Sequence, residues 1–218
     1  KKKISEKIFK REELSLPKDG FVFCSFNQSS KILPKIFDIW MNILKKVDSS
    51  VLWLLENNLT TRKNLENEAN KRGVNSDRII FAEFLPTDEH LSRLKMADLF
   101  VDTYPYTAHT TCSDALWAGL PVVTLQGETF ASRVSSSLLN AMGLSELITK
   151  NLKEFEEKIV ELGNNLPKVI TLKKKIEVNK FKEPLFNTKL FTSHIEQAYL
   201  EMHKIYNENK KPENIEIN

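Results

Sequence analysis

The sequence predicts an α/β domain built on a parallel sheet flanked by helices, and three observations carry that prediction. Short apolar runs, nearly free of charge, recur along the first 150 residues. Segments with apolar residues at helical spacing alternate with them, and polar, Gly or Pro residues cut each run short. Strands buried on both faces read as continuous apolar runs, and their alternation with helices implies right-handed parallel crossovers.

Residues 21–26, Phe-Val-Phe-Cys-Ser-Phe, form the first expected strand and stop at Asn27-Gln28-Ser29-Ser30-Lys31. A helix over 33–46 follows, with Ile36, Ile39, Trp40, Ile43 and Leu44 on one side. Residues 50–55 are the second strand, and 61–71 a polar helix closed by Gly73. The third strand spans 78–82, a short helix 88–96, and the fourth strand 99–103. A helix begins near Thr110 and ends at Gly119 and Pro121; 122–125 is the fifth strand, 130–142 a helix, and Leu147-Ile148 a short sixth strand. Beyond it the pattern is helical over 151–163, 167–179 and 188–206. The last of these carries Phe191, Ile195, Ala198, Tyr199, Met202 and Ile205 along one apolar stripe, expected to be left exposed or covered by dimerisation. These boundaries divide the chain into a linker or short helix over 1–18, a sheet domain over 19–150, C-terminal helices over 151–208 and a disordered tail over 209–218.

Ligands of parallel α/β sheets bind beyond the carboxyl ends of the strands, here segments 27–31, 85–90, 103–111 and 126–133. The stretch 102–119 is the richest of these. Pro105 interrupts regular structure before His109, and a helix then starts at His109-Thr110-Thr111. A helix start holds unpaired amides and a partial positive charge. Phosphate there accepts bonds from the amides and the Thr110 and Thr111 hydroxyls, beside the His109 imidazole. The plain alternative is that Thr110 is an ordinary helix cap. Lys31 can neutralise a diphosphate and Gln28 can bond it, or Lys31 is simply a surface residue opening a helix. His90 can stack on a base or donate to a ribose, or be a partly exposed histidine without a partner. Asp114 can accept from a ribose hydroxyl, or merely place negative charge in a first turn. Gly127-Glu128-Thr129 is either a close backbone approach or a turn and cap.

Composition excludes several classes. Of 218 residues 41% are hydrophobic, enough for a full core, while 32 basic against 29 acidic residues give only +3. The runs Lys173-Lys174-Lys175 and Lys210-Lys211 read as solvated helix face and tail, which argues against nucleic-acid binding. No apolar run approaches the ~20 residues of a membrane span and no secretory start is present, so the expected location is cytoplasmic. Cys24 and Cys112 are expected to be reduced. The chain has no Gly-x-Gly-x-x-Gly, Walker A, Gly-x-Ser-x-Gly or Asp-x-Asp, and no zinc-like spacing, so no metal site or resident cofactor is expected. The acidic cluster of a flavodoxin-like receiver is also missing, with Asn27 and Gln28 in its place.

The blocks Phe26-Asn27-Gln28-Ser29-Ser30-Lys31, His109-Thr110-Thr111 with Asp114, Ala115-Leu116-Trp117-Ala118-Gly119-Leu120-Pro121, Gly127-Glu128-Thr129-Phe130-Ala131-Ser132-Arg133-Val134 and Pro184-Leu185-Phe186-Asn187-Thr188 follow one another in unbroken order. With them, residues 13–206 closely resemble the C-terminal catalytic lobe of O-linked N-acetylglucosamine transferases and SPINDLY-type proteins. The resemblance implies a Rossmann-like lobe of a GT-B glycosyltransferase that holds a nucleotide-sugar, usually UDP-N-acetylglucosamine. It implies an inverting, metal-independent transfer to Ser or Thr hydroxyls of proteins. By matching position, Gln28 and Lys31 contact the diphosphate, and His109, Thr110 and Thr111 present the helix-start donors. Asp114 takes the ribose, with His90 and the backbone at Leu85 on the base. Lys31, His109 and Thr110 stabilise the leaving group, and the base belongs to a lobe not contained in this chain.

Two departures stand out. Thr87 occupies a place where the better-known relatives have lysine. The N-terminal lobe and the tetratricopeptide repeats, with their ~34-residue period, are absent from this sequence, and residues 1–13 read as the connection to them. Two functions remain open: a donor-binding piece of a transferase, using UDP-N-acetylglucosamine or GDP-fucose, or a non-catalytic nucleotide-binding module acting through a partner.

Overall fold

Val22–Ser25 (β1), four fully buried residues, lie at the centre of a six-stranded sheet whose order is β3-β2-β1-β4-β5-β6. In this computed structural model, which describes residues 2–217, the other strands are Val51–Leu55 (β2), Ile79–Ala82 (β3), Leu99–Val101 (β4), Val122–Leu125 (β5) and Ile148–Thr149 (β6). Every pairing is parallel, with Phe23 opposite both Leu52 and Leu99. The expected parallel sheet is therefore present, and its order reverses direction between β1 and β4. That reversal opens a crevice at the carboxyl ends of the two strands, where α/β folds hold ligands.

Helices Pro34–Lys46 (α1), Leu59–Lys71 (α2), Thr87–Arg93 (α3), Thr110–Trp117 (α4), Val134–Asn140 (α5), Leu152–Gly163 (α6), Leu166–Lys182 (α7) and Thr188–Asn207 (α8) supply the remaining layers. Pro34 suits the first turn of α1, where its missing amide costs nothing, and Ile36, Trp40, Ile43 and Leu44 bury one face. Phe155, Ile159 and Leu162 do the same for α6. Trp40, Trp53, Phe23 and Phe100 are among the largest side chains fully withdrawn from water. Each such burial contributes roughly 1.5–3 kcal/mol. α2 buries only Ala69 and is held at its start by Asn58, whose side chain accepts from the Thr61 amide at 2.8 Å.

Several expected boundaries shift. The helix expected over 130–142 is a 3-10 turn, Phe130–Ser132, followed by α5. The helix expected over 88–96 ends as a 3-10 turn, Leu94–Met96. Lys173 is only partly solvated: its amine donates to Ala97 O at 2.7 Å and lies 3.8 Å from Asp98. Lys174 and Lys175 are exposed as expected.

The short-helix alternative for the N-terminal segment is not what forms. Residues 2–10 run as an irregular strap, with one 3-10 turn at Glu12–Leu14. Three bonds join the backbone of this strap to the domain. Trp117 Nε1 donates to Lys2 O (2.9 Å), Ser5 N to Asp88 O (3.0 Å) and Ser92 Oγ to Lys7 O (2.6 Å). Phe9 is buried while Ile8 points to solvent, and Arg11 pairs with Asp98 at 2.8 Å. At the other end of the chain no residue of α8 is buried, and its stripe leaves Phe191, Tyr199 and Met202 more than half exposed. Residues 208–217 have no regular structure, and the expected tail and linker each include one residue, Asn218 and Lys1, outside the described range.

Candidate functional site

Asp102 closes the apolar run of β4 and is completely buried at the switch point. Its Oδ1 accepts from the Thr103 and Ala108 amides, both at 2.8 Å, and from Asn27 Nδ2 at 3.3 Å, while Oδ2 accepts from Thr124 Oγ1 at 2.7 Å. One carboxylate thereby joins the ends of β1, β4 and β5 and fixes the loop that leads to His109. Burial pushes its carboxyl above the usual range, opposed by the hydrogen bonds it receives. Asn27 extends the network: Nδ2 also donates to Thr103 Oγ1 (3.0 Å) and Oδ1 accepts from Thr111 Oγ1 (2.9 Å).

That last bond refines one expectation. The Thr111 hydroxyl spends its only proton on Asn27, so its offer to an anion is the amide. α4 begins after His109 as its cap, not Thr110, and Thr110 is exposed in the first helical position. The Ser113 amide bonds His109 O at 3.1 Å, whereas the amides of Thr110, Thr111 and Cys112 precede any intrahelical acceptor. The far end of α4 is closed by Gly119 at φ +87°, a conformation that costs other residues strain.

Lys31 reaches the same mouth from the β1 side. Its amine donates to Thr107 O at 3.1 Å and lies 4.1 Å from the Tyr106 ring centroid. His109 stacks on the same ring at 4.9 Å, meets Phe130 edge-on at 6.1 Å and has Nε2 3.4 Å from Ala131 O. Lys31 and His109 thus both rest against one tyrosine ring. Partial burial lowers the Lys31 proton affinity, and Asp102 opposes that shift. Gln28 is exposed just before the 3-10 turn Ser29–Lys31.

His90 lies on α3 and packs edge-on against Phe26 at 5.2 Å. Its Nδ1 faces Arg93, 2.9 Å from Nη2 and 3.2 Å from Nε. A guanidinium only donates, so Nδ1 is the acceptor and the proton of the neutral ring sits on Nε2, available as a donor. Burial, with repulsion from Arg93 and Lys2, lowers its pKa to about 4. The native state therefore resists protonation that the unfolded chain accepts near 6.5, and the contribution is present above that value and lost as pH falls toward 4. Between pH 7 and 5 the chain is expected to lose roughly 2 kcal/mol more stability than a His90→Gln variant. Urea unfolding at both pH values reads the difference; parallel losses in the two chains would contradict it.

Leu85 lines a separate recess of about 290 Å3 with Phe9, Trp53, Phe81 and Arg93. Arg93, 2% exposed, bonds Glu83 O at 2.5 Å and is the link between that recess and His90. Asp114 is not free in α4, since Lys2 Nζ stands 2.6 Å from its Oδ1. A further cleft of about 540 Å3 opens beside the β5 end, lined by Tyr104, Pro105, Gln126, Gly127, Glu128 and Lys150 among others. Of the segments weighed from the sequence, Gly127-Glu128-Thr129 lines it, whereas Gln28, Lys31, Leu85, His90, His109, Thr110, Thr111 and Asp114 do not. At Gly127 an added Cβ would fall 2.5 Å from Ser132 Oγ, so this glycine serves the close approach of the turn.

Set beside known proteins, residues 2–195 match the profile of Glycosyl transferase family 41. The chain belongs to that family. It is 38% identical over 209 residues to the probable UDP-N-acetylglucosamine–peptide N-acetylglucosaminyltransferase SEC of Arabidopsis thaliana, covering 95% of this chain and 21% of SEC. The corresponding enzyme of Caenorhabditis elegans is 35% identical over 90% of this chain and 17% of its own length. The O-GlcNAc transferase of Thermobaculum terrenum superposes with a TM-score of 0.77 at 32% identity, over 84% of this chain and 36% of that one. The chain thus spans about a fifth of the curated relatives it matches.

As a family 41 lobe, the chain assembles its candidates into two groups. Lys31, His109, Thr110 and Thr111 converge at the mouth of α4, and His90 and Asp114 face the amine of Lys2. Leu85 belongs to the neighbouring recess, and Gln28 stands at the rim. Asp102, Asn27, Arg93 and Lys2 were not singled out as site residues from the sequence. A carboxylate ending an uncharged strand was the signal for Asp102, and i, i+3 spacing from His90 that for Arg93.

Proposed function

We propose that this lobe binds the nucleotide-sugar donor of an inverting, metal-independent protein O-glycosyltransferase, with UDP-N-acetylglucosamine as donor and Ser or Thr hydroxyls as acceptors. The observation that carries the reading is the joint mouth of Lys31 and the first turn of α4, bridged by Tyr106. The names of the relatives support the donor and the protein acceptor. As the glycosidic bond breaks, negative charge gathers on the departing diphosphate. Lys31 exchanges the Thr107 carbonyl for a phosphate oxygen, and the amides of Thr110 and Thr111 donate to the same group. Donors fixed in advance toward developing charge contribute about 2.7–4 kcal/mol each in comparable sites. The hydroxyl proton of the acceptor passes to a base outside this chain, because the lobe supplies only the leaving-group half of the reaction.

Calorimetric titration of the chain with UDP, UDP-N-acetylglucosamine, GDP and GDP-fucose tests the assignment. Saturable binding of the uridine nucleotides, with the guanosine nucleotides weaker, is the expected result. Preference for GDP would redirect the donor to a fucosyl nucleotide, and indifference to all of them would remove the nucleotide reading.

A further inference from the structure

The amine of Lys2 is the feature that the leaving-group account does not use. It stands 2.6 Å from Asp114 Oδ1, and the Asp114 side chain is largely buried while that of Lys2 is about half exposed. One side-chain and one backbone donor hold the strap that carries it, from Trp117 Nε1 to Lys2 O and from Ser5 N to Asp88 O, so it is anchored to both α4 and α3. The same amine lies near enough to His90 to depress its proton affinity. Lys2 therefore stands on Asp114, and its charge reaches His90.

We propose that Lys2 is a further ligand-binding residue, joining Asp114, to which the family resemblance already gives the ribose, in recognising the vicinal diol of a ribonucleotide. The inference rests on the nucleotide reading above. An ammonium offers three donors and Asp114 Oδ1 engages one; a carboxylate accepts through both oxygens. Asp114 Oδ2, which has no partner among the described residues, accepts the proton of one ribose hydroxyl. Lys2 donates to the oxygen of the other, and their mutual ion pair fixes both groups at the spacing of a cis diol. Neighbouring Lys7 carries the same charge on the same strap but is turned away to Glu89, at 2.8 Å. Position on the strap, and not its net charge, makes Lys2 specific.

Titrations with UDP, 2′-deoxy-UDP and 3′-deoxy-UDP test this on the unmodified chain, Lys2→Met and Lys7→Met. Hydrogen bonds to charged groups are worth enough for about a tenfold effect. The unmodified chain and Lys7→Met are expected to bind one of the deoxynucleotides about tenfold more weakly than UDP. In Lys2→Met that penalty falls to within about twofold, through loss of UDP affinity. An unchanged penalty in Lys2→Met, or tighter UDP binding once the amine is gone, overturns the role given to Lys2 and leaves the nucleotide reading intact. Failure of the unmodified chain to bind any of the three overturns both.

Discussion

Replacing Lys31 by Ala is expected to weaken UDP binding on the order of 10- to 100-fold, while uridine binds the variant as it binds the unmodified chain. The reasoning starts from geometry. Lys31 is the cation that reaches the α4 mouth from the β1 side, held by Thr107 O and by the face of Tyr106, so little reorganisation is needed to meet a phosphate. Removing it leaves the helix amides, which keep part of the anion affinity, and leaves His90 and Asp114, to which the proposed reading gives the nucleoside. The loss thus tracks the phosphates and not the base. Because the amine is only half-buried, the urea midpoint of the variant stays near that of the unmodified chain. Calorimetry with the two ligands reads the contrast; an equal loss for uridine, or none for UDP, contradicts the assignment of Lys31.

Asp102→Ala is expected to destabilise the fold by on the order of 3–5 kcal/mol, a tail value for a single substitution. Three donors from three different residues lose their acceptor together, the Thr103 and Ala108 amides and the Thr124 hydroxyl, and the Asn27 amide loses one of its two. An unsatisfied buried donor costs about 1–3 kcal/mol, and relaxation of the loop recovers part of the sum. The effect on binding runs in the same direction. Ala108 is the residue before His109, and Asn27 holds the Thr111 hydroxyl, so release of the carboxylate frees both sides of the mouth. Chemical denaturation gives the stability term. A loss below about 1 kcal/mol would show that the network is dispensable.

The alternation of elements was legible from residue 21 to residue 148 because the central strands are buried on both faces and most helices on one. Apolar runs and helical periodicity report those two states of burial directly. The α4 mouth was legible for the same kind of local reason, since a helix start after a Pro-broken loop presents unpaired amides wherever it occurs. What failed were boundaries and contacts fixed from outside the segment. Residues 2–10 carry charges and apolar residues compatible with a short helix, yet their hydrogen-bonding groups are taken by Trp117, Asp88 and Ser92. Lys173 reads as part of a solvated run, but α7 lays it against Ala97 and Asp98.

The candidate residues illustrate the same division. Lys31, His90, His109 and Asp114 were nameable from their places after strands or at helix starts. Their partners were not, since Tyr106, Arg93 and Lys2 meet them through loop path, helix face and strap. Sequence alone determined which elements form, because burial and hydrogen-bonding needs within a dozen residues suffice for that choice. Only the tertiary structure decided that a single buried carboxylate, Asp102, ties three strand ends together, and that an amine 112 positions away stands on Asp114. Such pairings depend on the relative placement of distant backbone segments, and that placement is set by the packing of the whole sheet and not by any local preference.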